Sequence, residues 1–475
     1  MKVSFLIIYL LDGRGIKMRI TRDKKFYKLL LGISLPIAMQ NLINFAVSMI
    51  DTLMVGSLGE VPLAAVAIAN NLFFILTILM FGLASGSNIM ISQYWGKEDV
   101  KTIHRILAIM YRVCVGIVLI FVGIAAFLPT QFMMIFTTDA EVIAGGVSYL
   151  RMVCIGYLFY AIANCTIMML RSVKTVKVSI VVYTISLCVN GFLNWVFIFG
   201  NLGAPAMGVQ GAALATAIAR ITEFAIIMIF MVFIEDKIKL RLKDLIKVER
   251  IVLKDYVSTC SPVLFNELLW STGSSMISVV VGWMGTEIIA ANTINSVAFQ
   301  LATVFIFGIS NATAVIIGNT IGEGEKEKAK EYAFSSAIFS FLVGIIAGVI
   351  IYTLRPFVVD LYKVSDATKA VAMEIMSVTA IILVFQSVGV SMMMGVLRGG
   401  GDAKFVLLND LIFMWFMAIP GGFFAVLVLD LPIIPVFFIL KSDEIIKAFV
   451  AIFRVISGKW VRDVTRDFSQ MELEG

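Results

Sequence analysis

The chain has 475 residues, of which 60% are hydrophobic and only 15% are charged, and its formal net charge is +6. A soluble protein of this length needs far more charge to cover its surface, so the composition excludes a soluble globular protein. In membrane proteins basic residues concentrate in cytoplasmic loops, so the positive charge gives no indication of nucleic-acid binding.

Apolar segments of about twenty residues or more recur along nearly the whole chain, and each is long enough to cross about 30 Å of hydrocarbon. Their backbone groups must be satisfied within the segment, which favours helices, and they lack the apolar–polar alternation of a membrane β-barrel. We therefore predict an all-α integral membrane protein that crosses the lipid bilayer twelve times. The predicted spans are residues 29–55, 61–88, 106–128, 143–169, 177–199, 209–234, 257–282, 288–318, 332–353, 371–396, 405–427 and 432–455.

Basic residues lie mainly in the even-numbered connections, including the linker at 235–256, and near both ends of the chain, in segments 1–28 and 456–475. The odd-numbered connections are nearly free of lysine and arginine, apart from the ninth. Because cytoplasmic loops carry the excess of basic residues, this asymmetry predicts a multi-pass protein of the cell (inner) membrane with both termini in the cytoplasm.

Two segments leave alternatives open. Residues 1–17 contain an apolar run too short to span, and Met18 precedes a basic stretch, so we interpret residues 1–17 as a misplaced start or a disordered extension. In the last span, charged residues fall near the middle: either the helix faces the protein interior there, or the span ends near Leu440 and a surface helix follows. These charged residues are Lys441, Asp443, Glu444 and Lys447.

The sequence contains an internal repeat. At an offset of 226 residues, from Pro36 to Pro262, it matches itself without a gap over about sixty positions, including several glycines. The offset runs from span one to span seven, which predicts two six-helix lobes, 29–234 and 257–455, related by pseudo-two-fold symmetry. Parallel repeats of this kind are typical of transporters with alternating access, and a chain that contains both lobes is expected to function as a monomer.

Polar residues inside spans are costly and usually have a function. Asp51 ends the first span, and its repeat mate is Ile277. Asn190 and Asn194 are spaced i, i+4 and share one face of span five. A carboxylate with amide oxygens suits a hard cation or a proton; alternatively, Asp51 caps a helix end and the asparagines hydrogen-bond between helices.

Three further ionisable residues lie in predicted spans. Glu267, beside Asn266 in span seven, can bind a cationic substrate or carry a proton; alternatively, it is a charge held by a structural partner. Arg220 and Glu223 in span six are spaced i, i+3, which favours an internal ion pair over a substrate site.

Other classes of function have little support. The sequence has no GxxxxGK[ST] motif, so an ion gradient rather than ATP hydrolysis should drive transport. It has one histidine and no CxxC pair, and we interpret its five cysteines as small buried apolar residues. No constellation of His, Asp and Ser supports an enzyme, and we expect no cofactor.

Over residues 27–465 the chain resembles the multidrug and toxic compound extrusion (MATE) family. The motifs that carry the resemblance are Asp51 with Gly56 and Gly59, Asn190–Asn194 (NGFLN), Gly203–Ala213 (GAPAMGVQGAA), Pro262 with Glu267, Leu397–Asp402 (LRGGGD) and Ser457–Trp460 (SGKW).

The resemblance implies export of organic, often cationic, compounds by Na⁺ or H⁺ antiport. It also implies an amino-lobe cation site at Asp51, Asn190 and Asn194, which would be the Na⁺ ligands, with Thr216 as a fourth member. A carboxyl-lobe acid matches Glu267. Some members carry an aspartate in span ten where this chain has Ser387, so we expect coupling mainly through Asp51.

The nearest rival is a lipid-linked precursor flippase of the related superfamily. Such proteins tend to line their cavity with basic residues for pyrophosphate. Here Arg220 is the clearest deep basic residue, whereas Asp51 and Glu267 are acidic, which favours cations over phosphates as substrates.

Overall fold

A computed structural model describes residues 19–245 and 248–467, so the predicted extension at 1–17 lies outside the described residues. Helices account for nearly all of the described chain, and none of it is β-strand, which confirms the predicted all-α fold class. The long helices are α1 Lys24–Gly56, α2 Glu60–Gly96, α3 Val100–Phe127, α4 Ala140–Ser172, α5 Lys177–Phe199, α6 Val209–Phe233, α7 Arg250–Gly282, α8 Thr286–Gly322, α9 Lys326–Asp360, α10 Asp366–Leu397, α11 Ala403–Leu427 and α12 Ile433–Ile456.

By length and composition, ten of these twelve helices can cross a membrane within the part of the chain that is described. The two that fall short are α7, which is rich in serine and threonine, and α12, which contains charged residues near its middle. Each of the twelve coincides with one predicted span. A six-residue helix, Pro129–Met134, follows α3, and short 3₁₀ turns lie at Asn201–Gly203 and Leu242–Leu245.

The glycines of the repeat have a structural cause. Gly56 and Gly282 end α1 and α7, and the connections that follow contain Gly59 and Gly285, with φ of 117° and 112°. Only glycine adopts this backbone region without steric cost. The two repeats therefore use the same turn to join their first two helices.

The ends of α2 and α8 contact each other reciprocally. A Cβ atom at Gly96 would collide with the backbone of Asn319, and one at Gly322 would lie 2.8 Å from the Gln93 carbonyl carbon. Gln93 and Asn319 are themselves repeat mates.

The described residues form two compact units. We call residues 36–91, 99–245 and 248–267 the amino unit, and residues 19–35, 92–98 and 268–467 the carboxyl unit. In the amino unit α4 packs on α6 and α3, and α5 packs on α6. In the carboxyl unit α9 and α12 pack on α10, and α8 packs on α9 and α10.

The last span is one continuous helix. Asp443 and Lys447 of α12 are buried inside the carboxyl unit, where the Lys447 ammonium contacts both Asp443 and Asp410 of α11. Asp443 and Lys447 therefore face the interior of the carboxyl unit, as the first alternative expects. Four of the five cysteines are buried as expected, whereas Cys188 is exposed on α5.

Candidate functional site

The amino unit brings together the four residues predicted to form a cation site. Asn194 Nδ2 donates to Asp51 Oδ1 at 2.5 Å and to Asn190 Oδ1 at 3.3 Å. Asn190 Nδ2 in turn donates to Thr216 Oγ1 at 3.5 Å. Because Asn190 and Asn194 lie one turn apart on α5, their amides stack along the face that meets α1 and α6. The result is a continuous polar contact from Asp51 to Thr216.

An oxygen of this cluster lacks a hydrogen-bond donor. Asn194 is fully buried, and its Oδ1 makes no hydrogen bond. A buried carbonyl oxygen without a partner is costly, so it indicates a place where a ligand can supply the missing contact. Tyr149 is close enough to Asp51 and Thr216 to interact with both, and its hydroxyl contacts Asn70 Oδ1 at 3.4 Å. The sequence did not indicate Tyr149 or Asn70, since single polar residues in apolar helices are common.

The cluster continues along α5 and α6 to an ion pair. Arg220 Nη1 contacts Glu223 Oε1 at 2.7 Å, which confirms the predicted i, i+3 pair. The same carboxylate oxygen accepts a hydrogen bond from Ser186 at 2.6 Å. The Arg220 guanidinium lies over the rings of Phe73 and Tyr160, 5.4 and 4.9 Å from their centroids. Aromatic faces stabilise a desolvated guanidinium, so this charge is well accommodated inside the unit.

Glu267, the other predicted acid, is buried against α2 within the amino unit. A Cβ atom at Gly82 would lie 3.2 Å from Glu267 Cγ and from Leu264 Cα. Gly82 therefore permits the close approach of α2 and α7 that covers the Glu267 stem. Glu267 makes further interactions.

Comparison with known proteins decides the family. The family model described as MatE matches residues 36–196 and again residues 262–424. The chain belongs to the MatE family. The two matches begin at Pro36 and Pro262, the offset of the internal repeat. Family membership confirms the resemblance seen in the sequence and makes this chain a multi-pass membrane transporter rather than an enzyme.

Relatives within the MatE family align over most of the chain. A protein of Thermotoga maritima named "Probable multidrug resistance protein NorM" is 23% identical, covering 91% of this chain and 93% of that protein. Two solved structures share the fold. An outward-facing multidrug resistance MATE transporter has a TM-score of 0.81, 20% identity and coverage of 93% and 99% of the two chains. A Pyrococcus furiosus transporter of the MOP superfamily, whose pocket is described as having reverse polarity, has a TM-score of 0.82, 19% identity and the same coverage.

The span-ten position where some MATE proteins carry an aspartate is used for packing in this MatE chain. Ser387 is fully buried, and its hydroxyl donates to the carbonyls of Ser340 and Val384 at 2.9 and 2.8 Å. A Cβ at Gly344 of α9 would collide with the Ser387 side chain. A larger acidic side chain does not fit between these two helices.

The carboxyl unit has its own buried charge group, which the sequence indicated only in part. Lys447 Nζ lies 2.8 Å from Asp443 Oδ2 and 2.9 Å from Asp410 Oδ1. The i, i+4 spacing of Asp443 and Lys447 was visible in the sequence. Asp410 was missed, although an aspartate within an apolar span is itself a signal. It lies directly before a π-helical segment, Leu411–Ala418, a distortion often found near functional residues.

Proposed function

We propose that this transporter exports small organic compounds, mainly cations, in exchange for Na⁺ or H⁺, by alternating access of its two lobes. The relatives that carry the name multidrug resistance protein support the substrate class. The proposal includes a monomer in the cell membrane with both termini in the cytoplasm. The coupling ion binds at Asp51, Asn190, Asn194 and Thr216, and Glu267 binds the cationic substrate or a proton.

One observation carries the ion site: Asp51 is bonded to the amide of Asn194, whose own oxygen is buried without a donor. Inside a membrane a carboxylate is costly unless a cation or a proton neutralises it. The carboxylate, the free amide oxygen and the Thr216 hydroxyl are the oxygen ligands that hard cations prefer. The alternative, in which Asp51 caps a helix end, does not explain the unsatisfied Asn194 oxygen.

The test is transport by purified protein in liposomes. A fluorescent organic cation is followed under an imposed Na⁺ or H⁺ gradient, for the wild type, for Asp51→Asn and for Asp139→Asn as a matched control. Asp139 is exposed and accepts hydrogen bonds from the first turn of α4, a role that asparagine also fills. We expect gradient-driven uptake in the wild type and the control, and none in Asp51→Asn. The gradient that drives uptake identifies the coupling ion.

The same liposomes separate the proposal from a lipid flippase. If neither gradient moves the dye while a fluorescent lipid-linked precursor changes leaflet, the substrate class is wrong. If Asp51→Asn transports normally and Glu267→Gln does not, coupling runs through Glu267 instead. Folding of each variant is checked by its melting temperature in detergent, so that loss of transport is not confused with loss of structure.

A further inference from the structure

The amino unit holds a group of three charges rather than an isolated aspartate: Glu223 is buried, and Asp51 and Arg220 are half-buried. Glu223 is 2% exposed and accepts hydrogen bonds from both Ser186 and Arg220. Arg220 bonds to this carboxylate through Nη1, while its Nε is buried and makes no hydrogen bond. A guanidinium has five N–H donors, so Arg220 is incompletely satisfied by Glu223 alone.

The three charges lie on one line of polar contacts. Asn194, Asn190 and Ser186 follow each other at one-turn intervals along α5, and they contact Asp51, Thr216 and Glu223 respectively. Arg220 stands one turn after Thr216 on α6 and three residues before Glu223, whereas Asp51 lies on α1. It is close enough to attract the Asp51 carboxylate, and Tyr149 interacts with both.

The other titratable groups around these charges are phenols, a thiol and the Arg171 guanidinium. Tyr160 interacts with Arg220, Glu223 and Cys165, and Tyr183 interacts with Glu223, Arg220 and Arg171. The Arg171 guanidinium is itself hydrogen-bonded to Gln40 at 2.7 Å. Asp51, Arg220 and Glu223 are the three charges linked by the polar contacts of α5 and α6, whereas Arg171 is held by Gln40.

Two carboxylates and one guanidinium carry one net negative charge. In a medium of low dielectric constant an uncompensated charge is strongly unfavourable, so one monovalent cation or one proton completes the group.

We propose that Arg220 and Glu223 set the affinity and the stoichiometry of the coupling-ion site, with Arg220 as an internal counter-charge that both acids share. This inference rests on the proposed function at Asp51 and adds two positioning residues to it. It predicts that the two single substitutions change the ion affinity in opposite directions. In Glu223→Gln, Arg220 neutralises Asp51 alone and competes with the ion. In Arg220→Met, two acids remain without an internal cation.

The experiment measures ion binding to purified full-length protein in detergent. Na⁺ is titrated by calorimetry at fixed pH, and protons are titrated through intrinsic tryptophan fluorescence. For the ion that binds the wild type, we expect Glu223→Gln to weaken binding by on the order of tenfold or more. We expect Arg220→Met to strengthen binding or to take up a second ion. The double variant again carries one net negative charge, and its affinity should return to within about threefold of the wild type.

A purely structural ion pair gives a different result. Both single variants would then lower the melting temperature. The ion affinity of the folded protein would either stay unchanged or shift in the same direction in both variants, and either result overturns the inference. If Arg220→Met does not fold, Arg220→Lys, which keeps the charge, should retain the wild-type affinity while Arg220→Lys/Glu223→Gln loses it. Wild-type protein that binds neither ion refutes the proposed function itself. Loss of binding only in Asp51→Asn supports that function and refutes the role of the pair.

Discussion

Lys447 is the clearest place to test what holds the carboxyl unit together. Its ammonium bridges Asp410 and Asp443 at 2.9 and 2.8 Å, and the side chains of Lys447 and Asp443 are each only 3% exposed. Lys447→Met keeps the length of the side chain and leaves both carboxylates without their cation. Breaking a buried ion pair by removing one partner costs about 3–5 kcal/mol, because the remaining charge is uncompensated. We therefore expect a loss of about 3–5 kcal/mol in the free energy of unfolding.

The assay is reversible unfolding in mixed micelles, together with a melting temperature in detergent. Two controls are available within the chain. Lys369→Met removes the partner of Asp360, which is 72% exposed, and should cost less than about 1 kcal/mol. The triple variant Asp410→Asn/Asp443→Asn/Lys447→Met removes every charge of the bridge and should recover most of the loss. A Lys447→Met protein as stable as Lys369→Met would refute the reasoning, since the carboxylates would then be neutralised by another group.

Three further substitutions test the packing. Gly96→Ala should lower the free energy of unfolding by about 1–3 kcal/mol, because the new Cβ meets the Asn319 backbone. The control Gly32→Ala, whose Cβ has nothing within 4 Å, should be neutral or stabilising. Melting temperatures compare the two variants. Trp460→Ala should cost about 3–5 kcal/mol, because this fully buried indole covers Gly400; the thermal melt of the full chain measures it. Ser387→Asp should lower the melting temperature and confer no new Na⁺ binding in calorimetry, because α9 leaves no room for a carboxylate.

The fold was accessible from the sequence because its determinants are local. Span number depends on segment length and hydropathy, and the repeat depends on glycines that occupy the same turn, such as Gly59 and Gly285. The pair of Arg220 and Glu223 was equally predictable, since one helix turn separates the two residues. In each case the interacting groups are close in sequence, and helix geometry alone fixes their relation.

Contacts between helices were not accessible in the same way. Whether Asp410 meets Lys447 depends on which face α11 turns towards α12, and that is decided by packing over the whole unit. Tyr149 was missed beside Asp51 for the same reason. The family resemblance filled part of this gap for Asp51, Asn190 and Asn194, but it gave no information about the bridge at Lys447.

The two units differ in how their acidic side chains are paired with basic ones. In each, the last helix of the repeat places one basic residue beside acidic groups: Arg220 in α6 and Lys447 in α12. Lys447 contacts both Asp410 and Asp443 directly. Arg220 contacts Glu223, while Asp51 is bonded to an amide that supplies no charge. Asp51 therefore lacks a direct cationic partner, whereas Asp410 and Asp443 both have one. A bound cation should stabilise Asp51 more than it stabilises the Lys447 bridge, and this difference favours coupling through the amino unit.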